Sequence, residues 1–423
     1  MHTYIGIDLG TSVIKITAIN DDGIVIASVS LPNTLITPSS GDAEQDPVVW
    51  WKVTVKLLQK LHKQISFQNV NGIGLSGQMH GLVAYDAKKI PVHNAIVWLD
   101  KRSQKEVDDM QKTLGKSTIY TITGNPLFTG FLLPSLMWMR AHTPTIYKKI
   151  VTVSSPKDYL AYRLTNVLRT EPTDALATGA FDYKKNMWSE QMITAAGLKP
   201  SLFPPIAPTK NAYGVITKKV AAETGLPIGI PVYGGSDQSM SAMGLGLIEE
   251  SHGSIAISTG GQFLAVAKKG ILDKKQRLHT LNHALEGVGL YMAATLTAGL
   301  SLQWFKDNII NPKYTYEALL EDTAAVKPGS NGLFFFPFLA GERTPYFNTN
   351  LKGAFIGLSL LHTRAHMTRA IIEGVCFSMR ACFQVFRDNA ISLKKITISG
   401  GGTKHTIWKN TLVAVVNKPM GTI

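Results

Sequence analysis

The chain opens on three short apolar segments, residues 4–7, 13–19 and 24–29, divided by polar stretches. Asp8-Leu9-Gly10-Thr11-Ser12 fills the first gap and Asn20-Asp21-Asp22-Gly23 the second. Apolar runs bounded by Gly and Asn/Asp clusters predict strands joined by turns. A helix follows, with Asp46 as its N-cap and Pro47 as its first residue. Trp50, Val53, Leu57 and Leu61 then share one face at helical spacing. Residues 70–76, 82–85 and 95–99 predict further strands, the last ending at Asp100. Residues 103–114 predict a helix with Val107, Met110 and Leu114 on one side. Strands interleaved with helices make an α/β domain. Residues 115–210 are less regular and read as an elaboration beside that domain.

The opening device returns in the second half. Residues 254–258 predict a strand, Thr259-Gly260-Gly261 a turn and residues 262–266 the returning strand. Before it, residues 230–233 predict a strand that leads through Gly234-Gly235-Ser236-Asp237-Gln238 into a helix of small residues, 239–247. Two related domains follow from this repetition, 1–233 and 234–423, with the boundary near Tyr233. A strand over 395–399 runs into Gly400-Gly401-Gly402, and a helix is expected around 408–416.

Composition narrows the class. The 423 residues are 45% hydrophobic and 17% charged, a balance that excludes disorder. The net charge of +14 favours anionic ligands. The lysines come in scattered pairs such as Lys88-Lys89 and Lys218-Lys219, with no basic stripe interleaved with aromatics, so nucleic acid is not the expected partner. Cys376 and Cys382 share one apolar helical stretch and read as buried thiols in a reducing compartment. A core strand from residue 4 argues against a signal peptide, and no apolar run nears the about 20 residues of a membrane span. A cytoplasmic protein that binds no membrane is expected.

Several motifs fail on context. Gly72-Ile73-Gly74-Leu75-Ser76-Gly77 spells a dinucleotide fingerprint but lies within a strand rather than opening a helix. Gly115-Lys116-Ser117 lacks the earlier glycine of a P-loop, Met110 standing in its place. His279 with His283, and His362 with His366, have ligand spacing but no third ligand. Other candidates stand. Gly10 permits a tight turn, Thr11 and Ser12 can cradle phosphate oxygens, and Asp8 at the strand end can hold Mg²⁺ directly or through water. Asp237 lies where a strand meets a helix N-terminus, whose dipole stabilises an ionised carboxylate. Such a carboxylate can take the proton of a sugar hydroxyl. Gln78 and His80 can hydrogen-bond polyol hydroxyls while Met79 packs on a carbon chain.

Together these residues resemble the FGGY carbohydrate kinase family, from residue 4 to the end of the chain, and within it the xylulokinase branch. Gly353-Ala354-Phe355-Ile356-Gly357-Leu358 with His366 to Glu373 is similar to the family's C-terminal signature, and Gly341-Glu342-Arg343-Thr344-Pro345 to a further hallmark. Gly77-Gln78-Met79-His80-Gly81 is similar to the branch's substrate loop, where glycerol kinases carry Arg-Glu in place of Met-His. The resemblance implies an α/β fold of two actin-like, ribonuclease H-like ATPase domains flanking a central cleft. It implies transfer of a phosphoryl group from MgATP to a ketose, D-xylulose first; a homodimer is one assembly the chain could form, and the sequence does not decide it. Asp237 would be the catalytic base and Asp8 the carboxylate of the first phosphate loop. Met79, His80, Asp237 and Gln238 would surround the sugar. Thr11, Ser12 and Lys15 would face the transferring phosphate, Thr259, Gly260 and Gly261 would form the second phosphate loop, and Gly299, Gln303, Gly401 and Gly402 would contact the nucleotide.

The chain also departs from the family pattern. Gln238 stands where xylulokinases often have Asn, and Ser135 where the first signature has Lys. Family members continue beyond the helix around 408–416 through another strand and further helices, whereas this chain stops as that strand would begin. A weakened adenosine wall, weak ATP binding and low activity are expected on that ground. Two alternatives stay open: another ketose, polyol or sugar acid as substrate, or a truncated relative that binds without turnover.

Overall fold

The computed structural model describes residues 2–422. The fold divides into two compact units, residues 1–241 with 281–286, and residues 242–280 with 287–423. The strand–helix junction expected to open the second domain stays with the first, so Asp237 and Gln238 belong to unit one. Among the described residues no helix is long and apolar enough to cross a membrane.

Unit one is built on a six-stranded sheet. Thr3–Leu9, Val13–Asn20 and Val25–Pro32 form an antiparallel run. On its other side Thr3–Leu9 pairs in parallel with Val70–Gly77, which pairs in parallel with Pro231–Gly234. Gly214–Val215 closes that edge, antiparallel to Pro231–Gly234. The first strand alternates strictly between buried and exposed positions. Ile5, Ile7 and Leu9 therefore enter the core, and Asp8 stands on the open face with Lys15 and Ser76 as its neighbours in register. The helix Pro47–His62 covers the core face. Its Asp46 cap accepts Val48 N at 2.8 Å, and Trp50, Leu57 and Leu61 are fully buried.

Residues 115–210 are more ordered than their composition suggests. They supply the helices Leu132–His142, Pro156–Thr165 and Glu190–Ala195 among others. Leu133, Leu136 and Ile193 join Val107 and Met110 of the helix Gln104–Leu114 in a second apolar cluster. Tyr159, Leu160 and Leu164 of Pro156–Thr165 instead pack into the main sheet's core. That helix also carries Lys157, wholly buried, with Asp158 Oδ1 at 2.6 Å, Asp174 Oδ2 at 3.2 Å and Glu171 Oε1 at 3.6 Å. Burial works against the ammonium's charge, but the surrounding acidic groups outweigh it and hold its pKa well above the ordinary value.

Unit two repeats the plan. His252–Ile257, Gly261–Lys268 and Val288–Thr295 run antiparallel in succession. His252–Ile257 pairs in parallel with Lys395–Ser399, and that strand in parallel with Met420–Thr422. The strand at which the chain was expected to stop is thus formed and paired through Thr422. The 25-residue helix Arg364–Asp388 lays Ile371, Val375, Met379, Cys382 and Phe386 against the sheet. Phe386 meets Phe263 with ring centroids 5.1 Å apart. Cys376 and Cys382 are free thiols at zero exposure, pushed up by burial, as expected of structural cysteines.

Candidate active site

In unit one the turn after the first strand is held by side chains from well separated places. A Cβ at Gly10 would lie 2.7 Å from the Val13 carbonyl, so only glycine fits this turn. Thr11 Oγ1 accepts Trp98 Nε1 at 2.9 Å and donates to Gln78 Oε1 at 3.3 Å. Gln78 Nε2 donates to Gln45 Oε1 at 2.7 Å, and Gln45 Nε2 donates back to the Thr11 carbonyl at 2.8 Å. Asn33 Nδ2 bonds the Gly10 carbonyl at 2.8 Å, and its backbone N–H bonds the Ser12 carbonyl at 2.8 Å. Gln78 is thus buried with both ends of its amide engaged inside the protein. Through these bonds it braces the turn from the loop that also carries Met79 and His80.

Ser12 and Lys15 are exposed beside this turn, and Asp8 shares the open sheet face with Lys15. Desolvation raises the Asp8 pKa against the opposing pull of the Ser76 hydroxyl and the Lys15 charge. Asp237 begins the helix Asp237–Gly244 directly after the strand Pro231–Gly234. It is half-buried, and desolvation pushes its carboxyl to about 7, with the Gln238 amide opposing and the Asp8 charge adding to the rise. Two carboxyls are therefore brought within electrostatic reach, and one of them is poised near neutrality, where a proton acceptor works best.

The loop after Val70–Gly77 behaves differently residue by residue. Met79 is buried and His80 half-buried. His80 has φ of 75°, a left-handed conformation unusual for a non-glycine residue and one found at functional sites. Its ring lies flat on Phe131, centroids 4.2 Å apart and planes 7° from parallel, and its Nδ1 pairs with the Ala177 carbonyl at 2.7 Å. Gln238 is half-buried beside Asp237.

Unit two gathers its candidates around the end of His252–Ile257. The Thr259 carbonyl accepts both Ala298 N at 2.9 Å and Leu300 N at 3.1 Å. A Cβ at Gly299 would lie 2.5 Å from the Ser258 carbonyl, so the helix Gly299–Trp304 can start against this turn only from glycine. Gly260 and Gly261 lie against Thr295, and Gly402 packs on Ile257, while Gly401 is open on its Cβ side. Gln303 is exposed on Gly299–Trp304. The turn 258–261, the helix start at 299 and the loop 400–402 thus meet at one strand end.

Sequence reasoning missed Gln45, Trp98 and Phe131, which reach the site through tertiary contacts and carry no local motif. It also missed Glu171, Thr173 and Asn282, which hold the turn before Asp237 from positions distant in the chain. The family-like segments near the end have structural duties here. Glu342 Oε1 accepts Leu296 N at 2.9 Å, and Glu373 pairs with Arg369 at 2.7 Å while accepting Gly329 N. Ser135 is fully buried in its helix.

Comparison with known proteins gives the family. The N-terminal domain model of the FGGY family of carbohydrate kinases matches residues 3–244, and the C-terminal domain model matches residues 253–422. The chain is 35% identical to the xylulose kinase of Staphylococcus xylosus, over all of this chain and 87% of the relative. It is 34% identical to that of Bacillus subtilis, over 99% of this chain and 84% of the relative. Among solved structures, the xylulose kinase of Rhodospirillum rubrum superposes with a TM-score of 0.94 at 27% identity, covering 100% of this chain and 86% of that one. The chain belongs to the FGGY family of carbohydrate kinases and is a kinase that uses ATP.

Proposed function

We propose that the chain phosphorylates D-xylulose, giving D-xylulose 5-phosphate and ADP. The observation that carries the reading is the Asp237 carboxyl at the head of a helix, pushed to about 7 chiefly by burial, with the Asp8 charge adding to the rise. Above that pH it is ionised and accepts the proton of the acceptor hydroxyl. The freed oxygen attacks the γ-phosphorus, the bond to the bridging oxygen breaks, and ADP leaves with the electron pair. Lys15, Thr11 and Ser12 offer positive charge and hydroxyls to the transferring group in unit one, and the Thr259–Gly261 turn serves the nucleotide's phosphates in unit two. Gly299, Gln303, Gly401 and Gly402 border the nucleotide. His80, fixed by Phe131 and Ala177, reads a sugar hydroxyl, and Met79 and Gln238 complete the sugar's surroundings.

Mg²⁺ fits the residues present. Asp8 and Asp237 are hard oxygen donors, and the described residues contain no cluster of three or more His, Cys, Asp or Glu able to cage a metal. One or two carboxylates, with water and phosphate oxygens completing the shell, is the usual protein share of a Mg²⁺ site. Asp8 would hold the ion, whose charge would offset that on the phosphates. The relatives' names support xylulose; a gluconokinase of Bacillus subtilis is also similar, at 27% identity over 97% of this chain. An ADP-release assay with D-xylulose, D-ribulose, glycerol and gluconate tests the assignment. The highest kcat/KM is expected with D-xylulose; a clear preference for glycerol or gluconate overturns it.

A further inference from the structure

Behind the base, one hydroxyl joins the turn that carries Asp237 to the buried charge cluster. Ser236, fully buried, donates its backbone N–H to Thr173 Oγ1 at 2.8 Å. Thr173 Oγ1 donates its own proton to Glu171 Oε1 at 2.7 Å. A hydroxyl has a single proton, so committing it to a carboxylate turns the lone pairs toward the Ser236 amide. Glu171 is itself held in place. It accepts Thr173 N, Asp174 N and Thr209 Oγ1, and its Oε1 lies 3.6 Å from the Lys157 ammonium. A Cβ at Gly235 would come 3.2 Å from Thr173 Oγ1, so the hydroxyl lies close against the turn.

The other side of the turn is tied to the same helix. Ser236 Oγ donates to Ser239 Oγ at 2.9 Å, and Ser239 Oγ donates to the Asn282 carbonyl at 2.7 Å. Asn282 Nδ2 then donates to the carbonyl of Pro172, the residue before Thr173, at 2.8 Å. The backbone on either side of Asp237 is thereby referred to one short helix, Pro172–Leu176, and that helix to buried charge.

The geometry points to Thr173 as a positioning residue that sets where the Asp237 carboxylate meets the acceptor hydroxyl. Thr173 is 1% exposed and acts through Ser236 rather than on a substrate. The proposal rests on Asp237 being the base. A misplacement of about 1 Å at a reacting group can lower a rate on the order of 10²-fold, so the orientation of one backbone amide is enough to matter.

Thr173→Val keeps the side chain's shape, removes both hydrogen bonds and leaves the Ser236 N–H unpaired. Thr173→Ser keeps the hydroxyl. With D-xylulose and ATP, well below the melting temperature, kcat of Thr173→Val should fall about tenfold or more, with KM for ATP changed less than about twofold. Thr173→Ser should return kcat to within about threefold of the wild type. An unchanged kcat in Thr173→Val, or a loss in Thr173→Ser as deep as in Thr173→Val, overturns the proposal. Should the valine variant fail to fold, Thr173→Cys keeps a polar side chain of similar size but offers the Ser236 N–H only a weak acceptor; an unchanged kcat there overturns the proposal equally. Asp237→Asn measured alongside separates the two levels. Normal turnover in Asp237→Asn removes the base itself, whereas a slow Asp237→Asn with a fast Thr173→Val removes only the positioning role.

Discussion

Replacing Asp237 by Asn removes a proton acceptor and, with it, a charge that the fold disfavours. The carboxyl is raised from 3.8 to about 7, chiefly by desolvation. At about 1.36 kcal/mol for each unit, its ionisation costs the folded chain about 4 kcal/mol relative to the unfolded one. The side chain keeps partial solvent access, and water screening brings the figure nearer about 2 kcal/mol. Below about pH 4 both states hold the proton and nothing is lost. As pH rises from there the unfolded chain releases its proton first, so stability falls until the folded carboxyl has also ionised, above about 7. Asparagine carries no such term. Asp237→Asn should therefore melt several degrees above the wild type at pH 8, at about 2–4 °C per kcal/mol, and by distinctly less at pH 5. Its turnover should fall on the order of 10²-fold or more. Wild-type kcat/KM should rise with pH through about 7 and then level off. Thermal melts at the two pH values and a steady-state pH profile check all three statements. An equal melting offset at both pH values refutes the buried-charge argument, and near-normal turnover refutes the base.

If His80 reads the sugar as proposed, His80→Ala should raise KM for D-xylulose about tenfold while leaving KM for ATP unchanged, since its ring is fixed on Phe131 and the Ala177 carbonyl; equal effects on both substrates would point to a folding defect. Lys157→Met strands Asp158, Asp174 and Glu171 without their shared cation. Removing one partner from a buried pair costs about 3–5 kcal/mol, so this variant should melt far below the wild type or accumulate insoluble, and a soluble variant with an unshifted melt would contradict the role given to the cluster.

Much of the architecture was legible because it is written locally. Asp46-Pro47 announces a helix, and the repeated strand–turn–strand segments at Gly10 and Gly260 announce two domains of one plan, which the matching strand orders bear out. Residues 115–210 were not legible in this way. Their helices are short, and their apolar residues serve two different cores, so no single periodic stripe runs along the sequence. The strand–helix junction at Asp237 was found from its glycines and its place after an apolar strand. The residues that hold it, Glu171, Thr173 and Asn282, make bonds across wide gaps in the chain and leave no trace in spacing. Gln78 was read from its loop alone. Its bond to Gln45, 33 positions away, carries no signal in the local sequence.

The discontinuity of unit one has a consequence for how the molecule is made. Residues 281–286 belong to that unit although residues 242–280 do not. A chain leaving the ribosome from its N-terminus can lay down the first sheet, the turn at Gly10 and Asp237 well before Asn282 exists. Ser239 then has no carbonyl to bond, and Pro172 no amide from Asn282. The helix that begins at Asp237 is fastened only after the chain has entered the second unit and returned. A nascent or prematurely terminated first half thus carries Asp8 and Asp237 without the Asn282 clamp, which forms only when synthesis has passed well into the second half.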